Sequence, residues 1–266
     1  MSNQAFLFPG QASQFVGMGK DLYDGSDTAR DLFEQANEYL GFRISDVMFH
    51  GTEEQLKQTN ITQPSVFIHS LVSLRVHRPE FKAAAMAGHS LGEFTSLVAA
   101  GVISYLDGLA LVRTRADAMQ EACLSNPGSM AAVVGLTDEQ IEAVCAEIKD
   151  EIVIPANYNC PGQLVISGSL NGLKQAESKL IEAGAKRVII LQVGGAFHSP
   201  LMEPARANLE KAIQNIEFKA PACPIYQNVD AKPHADPDKI KSNLISQLTA
   251  PVKWTQIMQN MIAHGI

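Results

Sequence analysis

Short apolar runs alternate with helical apolar periods along the chain, and their order predicts the architecture before any chemistry is considered. Residues 4–8, QAFLF, read as a short buried strand broken by Pro9-Gly10. Beyond a glycine-rich turn, 27–40 places Ala29, Leu32, Phe33, Ala36 and Leu40 on one side of a helix. Residues 64–77 keep a helical period and open on Pro64, which suits a first turn. A second apolar strand, AAAMA at 83–87, runs into GHSLGE and a small-residue helix, FTSLVAAGVIS; 107–122 predicts another helix.

The pattern then changes. SMAAVVG at 129–135 reads as a strand and 137–149 as a helix, with Thr137 and Gln140 at capping-box spacing. Strands follow at 152–157 and 163–168 across the turn YNCPG, then a helix at 170–183 and a strand at 186–193. This β-α-β-β-α-β order is that of a ferredoxin-like unit. Downstream come GGAFHSPLM, a helix to about 214, a short strand near 224–229, a loop at 230–238 and helical segments. The expected organisation is a discontinuous parallel α/β domain, 1–126 with 195–266, carrying an inserted ferredoxin-like subdomain at 127–194.

Composition narrows the classes. Of 266 residues 46% are apolar and 18% charged, which excludes disorder, coiled coil and fibrous architecture. The net charge of −7 is concentrated between Asp21 and Glu54, where nine acidic residues meet two basic ones. An acidic balance disfavours non-specific nucleic-acid or anionic-membrane binding. Local cations such as Lys174, Lys179, Lys186, Arg187 and Arg206 stay available for anionic partners. The opening MSNQAFLFPGQ lacks the pattern of a signal peptide, and the uncharged stretches 94–106 and 188–202 are too short or too polar to span a bilayer. Cysteines at 123, 145, 160 and 223 fit no metal spacing and read as reduced thiols of a cytoplasmic protein.

The strongest local signal is Gly88-His89-Ser90-Leu91-Gly92, a G-x-S-x-G turn between a strand and a helix. That context raises Ser90 above the sheet edge and aims helix amides, Leu91 N–H first, at developing oxyanion charge. Among seven histidines, His198 in the loop GGAFHSP is the candidate base. His89 adjoins the serine and suits a packing or hydrogen-bonding role. No acid between 90 and 198, Glu93 included, marks a clear strand end where a triad member should sit. A Ser-His dyad, with the ring held by a backbone carbonyl or an amide, fits better and weakens a simple esterase reading.

Seven spaced motifs occur in one order: FPGQASQFVGMG at 8–19, TQPSVF at 62–67, AGHSLGEF at 87–94, LVRTRADAMQEA at 111–122, NYNCPGQLVISG at 157–168, GGAFHSPLM at 194–202 and QLTAPVKW at 247–254. With them the chain resembles the malonyl-CoA:acyl carrier protein transacylase family. The resemblance implies an α/β-hydrolase-like large domain with an inserted ferredoxin-like one. It also implies that Ser90 is acylated, His198 activates it, and Gln11 and Leu91 supply the oxyanion amides. Arg115 would pair with the malonyl carboxylate, Gln247 would hold the histidine ring through its carbonyl, and Asn159 would lie close to the substrate. Phe197 looks like the malonyl-selecting form of related polyketide acyltransferases, and Met130 would line the same pocket. The family's reaction moves malonyl from malonyl-CoA to holo-acyl carrier protein in fatty-acid synthesis, with no tightly bound cofactor and no metal; separately from the resemblance, a monomer is the expectation. A discrete polyketide malonyltransferase and a thioester hydrolase are the alternatives.

Arg115 also has a case of its own. Arg113 and Arg115 are two residues apart on one helix and cannot share a face. One faces solvent while the other enters the cleft, where a guanidinium fork matches a carboxylate. Two departures from the family pattern stand out. Ala12 replaces a common glycine and fits only with negative φ, and the family's further F-x-E-x-G-P-G segment and closing helix do not follow Ile266, as a truncated large domain would look.

Overall fold

A computed structural model describes residues 4–266; residues 1–3, the head of the segment read for a leader, lie outside the described residues. Strand β1 (Ala5–Phe8) leads through a loop to helices α1 (Lys20–Gly25), α2 (Asp27–Leu40), α3 (Ile44–His50), α4 (Glu53–Lys57) and α5 (Thr59–His77). The chain returns as β2 (Ala85–Gly88), α6 (Leu91–Ala99) and α7 (Tyr105–Ser125). Helix boundaries carry local signals: Ser26 caps α2, which ends at left-handed Gly41, and Ser104 caps α7.

Next come β3 (Gly128–Val134), α8 (Asp138–Glu147), β4 (Val153–Cys160), β5 (Gln163–Ser169), α9 (Leu170–Glu182) and β6 (Arg187–Ile190). The expected Thr137–Gln140 capping box is formed. The closing elements are α10 (Glu203–Gln214), β7 (Ile225–Tyr226), β8 (Pro233–His234), α11 (Pro237–Ser246) and α12 (Trp254–Ala263).

Two four-stranded sheets result. In the first, β1, β2 and β7 run parallel and β8 closes the edge antiparallel. The second is antiparallel in the order β4-β5-β3-β6, the ferredoxin-like arrangement the element order predicts. Its strand alternation serves two cores. Ala131, Val133, Leu164 and Ile166 join Ile141, Leu173 and Leu180 in one cluster, whereas Met130 and Val165 belong to the larger one with Phe197. A parallel bridge joins the sheets' territories: Val252 N–H donates to the Ala156 carbonyl at 2.8 Å, and Tyr158 N–H to the Val252 carbonyl at 2.9 Å.

Several sequence expectations shift. Helix α5 begins at Thr59, five residues before Pro64, because Thr59, Thr62 and Gln63 are buried and Thr62 N–H already turns back on the Gln58 carbonyl at 2.7 Å. Packing thus overrides the proline as a start signal. Leu7 in the supposedly buried first strand is 47% exposed. Ala12 has φ +79°, contrary to the expected negative value. Its side chain points to solvent and its N–H is held by Gln14 Oε1 at 3.0 Å, which offsets a left-handed cost of about 1–2 kcal/mol. Of the cations expected to be available, Lys179 is paired with Glu147 and Arg206 with Glu203 and Glu210. Lys174, Lys186 and Arg187 are exposed.

Candidate active site

The site begins with two glycines. A Cβ on Gly88 would lie 1.8 Å from Gly92 C, and one on Gly92 would lie 2.3 Å from the Phe8 carbonyl oxygen. Only a bare backbone lets β2 turn straight into α6 while α6 rests on the end of β1. Every residue of α6 is buried. Ser90, at the turn, has φ +52° and ψ −104°, a strained conformation that lifts its side chain out of the strand.

His198 comes from the loop before α10 and is itself at φ +58°. Its Nε2 lies 2.8 Å from Ser90 Oγ, while Nδ1 lies 3.0 Å from the Gln247 carbonyl oxygen and 3.2 Å from that of Ala250. Carbonyls only accept, so the proton sits on Nδ1 and Nε2 is the acceptor facing the serine hydroxyl. Burial, reinforced by the positive Arg115, pulls the imidazole down to about 3. It is therefore neutral, the form a general base requires. Among the described residues no carboxylate bonds to it; backbone carbonyls orient the ring.

Arg115 is 1% exposed and Arg113 reaches the surface, so the two arginines divide as their spacing demands. Arg115 Nη2 donates to Ser90 Oγ at 2.9 Å and Nη1 to Gln63 Oε1 at 2.7 Å. Its Nε is buried and has no hydrogen-bond partner among the described residues. Nε and Nη2 form one edge of the guanidinium, so the edge beside the serine retains a free donor for a carboxylate. Burial lowers Arg115 to about 10, against the opposite charge of Glu93, and it stays a cation at neutral pH. The Phe94 ring packs 5.6 Å from its Cζ.

The remaining expected residues gather around these three. Leu91 opens α6 directly after Ser90, and Gln11 Oε1 lies 3.5 Å from Gln63 Nε2. Gln247 acts twice: its carbonyl holds His198, and its Nε2 donates to the Ser90 carbonyl at 3.0 Å. Asn159 on β4 bonds through Oδ1 to His89 Nε2 at 3.0 Å, linking the second sheet to the serine turn. His89 also packs edge-on to Trp254, in the packing role its position suggests. Phe197 and Met130 are buried in the same core cluster, and Met130 makes no polar contact with the serine, histidine or arginine. Among the described residues, no cluster of histidine, cysteine or carboxylate side chains could hold a metal. None of their helices is long and apolar enough to cross a membrane.

A serine raised on an elbow, a neutral histidine and a buried arginine on the serine's oxygen suit acyl transfer of an anionic group. The acyl transferase domain model matches residues 5–266. The chain belongs to the acyl transferase family. Among its relatives, the malonyl CoA-acyl carrier protein transacylase of Bacillus subtilis is 41% identical over 273 residues, covering 100% of this chain and 85% of that one. The protein of the same name from Staphylococcus aureus MRSA252 is 40% identical, covering 100% and 87%. An acyl carrier protein S-malonyltransferase from Vibrio cholerae superposes with a TM-score of 0.94 at 40% identity, covering 100% and 88%. A malonyl-transacylase solved with a type II polyketide acyl-carrier protein gives 0.93 at 37%, covering 98% and 86%. This acyl transferase therefore carries the large α/β sheet and ferredoxin-like sheet of its structural neighbours.

Sequence reasoning missed Gln63, Gln227 and Asn228, and set Glu93 aside once no strand end claimed it. Gln63 lies inside the motif TQPSVF and could have been flagged as a polar residue on an apolar helix. Gln227 and Asn228 sit in PIYQNV, where nothing local separates a buried amide pair from a polar strand end. Glu93 is fully buried, and burial pushes its carboxyl up to about 7 against the hydrogen bonds from Asn228 N–H and the Gln227 and Gln247 side chains.

Proposed function

We propose that this acyl transferase moves a malonyl group from malonyl-CoA to the phosphopantetheine thiol of holo-acyl carrier protein through a malonyl ester on Ser90. The observation that carries this reading is the buried Arg115 with Nη2 2.9 Å from Ser90 Oγ. In a malonyl-serine ester the free carboxylate is attached three bonds from Oγ. It comes within reach of a guanidinium already in hydrogen-bond contact with that oxygen. A neutral acetyl group would leave this cation unpaired.

His198 Nε2 accepts the Ser90 proton as Oγ attacks the thioester carbonyl. The Leu91 and Gln11 amides receive the negative charge on that carbonyl oxygen, with the positive end of α6 behind them. The C–S bond breaks, the proton passes from His198 to the departing CoA sulfur, and the ester remains with its carboxylate on Arg115. The carrier protein's thiol then attacks the ester carbonyl, giving its proton to His198, which returns it to Oγ as the C–O bond breaks. No group is oxidised or reduced.

Asn159, Phe197 and Met130 form the substrate side of this reading, in which residues 127–194 are a subdomain inserted into 1–126 and 195–266. All the groups invoked come from one chain, so a cytoplasmic monomer suffices, with no resident cofactor. Fatty-acid synthesis is the destination this reading assigns to the malonyl carrier protein. The neighbour solved with a type II polyketide carrier supports a second destination for the same chemistry. Intact-protein mass spectrometry after exposure to malonyl-CoA tests the covalent step: a malonyl adduct on Ser90 is expected, and its absence overturns the mechanism. Transfer rates across fatty-acid and polyketide carriers then assign the pathway. CoA release that proceeds as fast without any carrier identifies a thioester hydrolase instead.

A further inference from the structure

A serine held at φ +52° needs something to hold it there, and the structure shows one side chain spanning the turn. Asn228 is fully buried; its Oδ1 accepts Ser90 N–H at 2.7 Å and its Nδ2 donates to the Gly88 carbonyl at 2.7 Å. One amide thus grips residues 88 and 90 together. Gln247 Nε2 adds a bond to the Ser90 carbonyl at 3.0 Å, so both polar groups of the Ser90 backbone are engaged.

Asn228 is set in turn by Glu93, one turn after Ser90 on α6. Glu93 Oε2 accepts Asn228 N–H at 2.8 Å, and Oε1 accepts Gln227 Nε2 at 3.0 Å. Gln227 is braced against α11 by Asn243 Nδ2 and the Ile240 carbonyl, each at 3.0 Å. The carboxylate therefore fastens the helix that carries the serine to the segment whose amide shapes the serine. Such a closed buried network specifies one arrangement, since each member lost leaves another unsatisfied.

We propose that Asn228, seated by Glu93, is the positioning residue of the nucleophile turn, setting the Ser90 backbone so that Oγ meets His198 and the Leu91 amide faces the oxyanion. The inference rests on the covalent-serine reading above. Neither residue touches substrate; both act through Ser90. Loss of the grip lets the turn relax toward an unstrained conformation, which misaims Oγ and the Leu91 amide together.

The test measures how fast a neutral fluorophosphonate modifies Ser90, followed by intact mass, beside kcat, KM for malonyl-CoA and thermal melting. N228A is expected to lower labelling rate and kcat together by roughly 10- to 100-fold, below the effect of deleting an oxyanion donor outright. KM and the malonyl-to-acetyl preference stay at wild-type values because Arg115 is untouched. E93Q keeps one acceptor oxygen and falls by a few-fold only. N228D retains an acceptor for Ser90 N–H but loses the donor to Gly88, and takes the place of N228A if that variant does not fold. Folded variants that label at the wild-type rate overturn the inference, as does a raised KM with unchanged kcat. Wild-type protein that labels on Ser90 yet transfers no malonyl defeats the function while leaving the positioning role intact.

Discussion

Replacing Arg115 with alanine separates recognition of the acyl charge from the chemistry of the serine. The side chain is 1% exposed, with Nε unpartnered and Nη2 beside Oγ, so a malonyl carboxylate gains two charge-assisted hydrogen bonds in a desolvated site. At roughly 1.5–3 kcal/mol each, their loss costs about 3–6 kcal/mol. At about 1.4 kcal/mol per factor of ten, malonyl kcat/KM drops roughly 100- to 20,000-fold. Acetyl transfer behaves differently. Removing the cation also removes the charge that depresses His198, which makes the imidazole a stronger base. Acetyl kcat/KM is therefore expected to hold or rise by a few-fold. The assay compares malonyl-CoA and acetyl-CoA as donors to one holo-acyl carrier protein, with the Ser90 adduct followed by mass. Equal losses for both donors refute the carboxylate clamp, because a damaged nucleophile would produce that pattern.

Four further outcomes follow from the geometry. His198→Ala abolishes measurable acylation at neutral pH while Ser90 stays exposed to small reagents, and an adduct forming at the wild-type rate would remove the base from the mechanism. Gln63→Leu frees Arg115 Nη1 and is expected to raise KM for malonyl-CoA about tenfold with little change for acetyl-CoA, on the order of one hydrogen bond to a charged group. Gly88→Ala puts a Cβ within 1.8 Å of backbone, so loss of soluble protein or a large fall in melting temperature is expected on expression. Glu93 is raised from 4.5 to about 7, so the native state holds a proton that the unfolded chain releases between those values. Its contribution is full below pH 4.5 and is lost as pH rises through 7, by about 3 kcal/mol. The melting temperature of wild type should fall relative to E93Q by several degrees between pH 5 and 8, and parallel curves in calorimetry would refute this.

Much of the molecule was legible in local pattern. The period-2 and helical runs of 128–190, with the Thr137 cap, specify a four-stranded antiparallel unit, because each strand's alternation must serve a core on each face. Gly88-His89-Ser90-Leu91-Gly92 marks the sharp turn that lifts Ser90, since only glycine tolerates the contacts that the turn enforces. The two-residue spacing of Arg113 and Arg115 requires one of them to turn inward. What the tertiary structure decided is everything that depends on long-range approach. Gln63, Asn228 and Gln247 reach the serine region from positions 27, 138 and 157 residues away, and their amides look like any others in the sequence. Ala12 takes positive φ because Gln14 and open solvent permit it, a fact of surroundings, not of residue type. His198 is neutral because folding buries it beside a cation and against two carbonyls. Sequence periodicity encodes which face is apolar; only the packed chain settles which polar groups lose water together, and that loss sets both their partners and their protons.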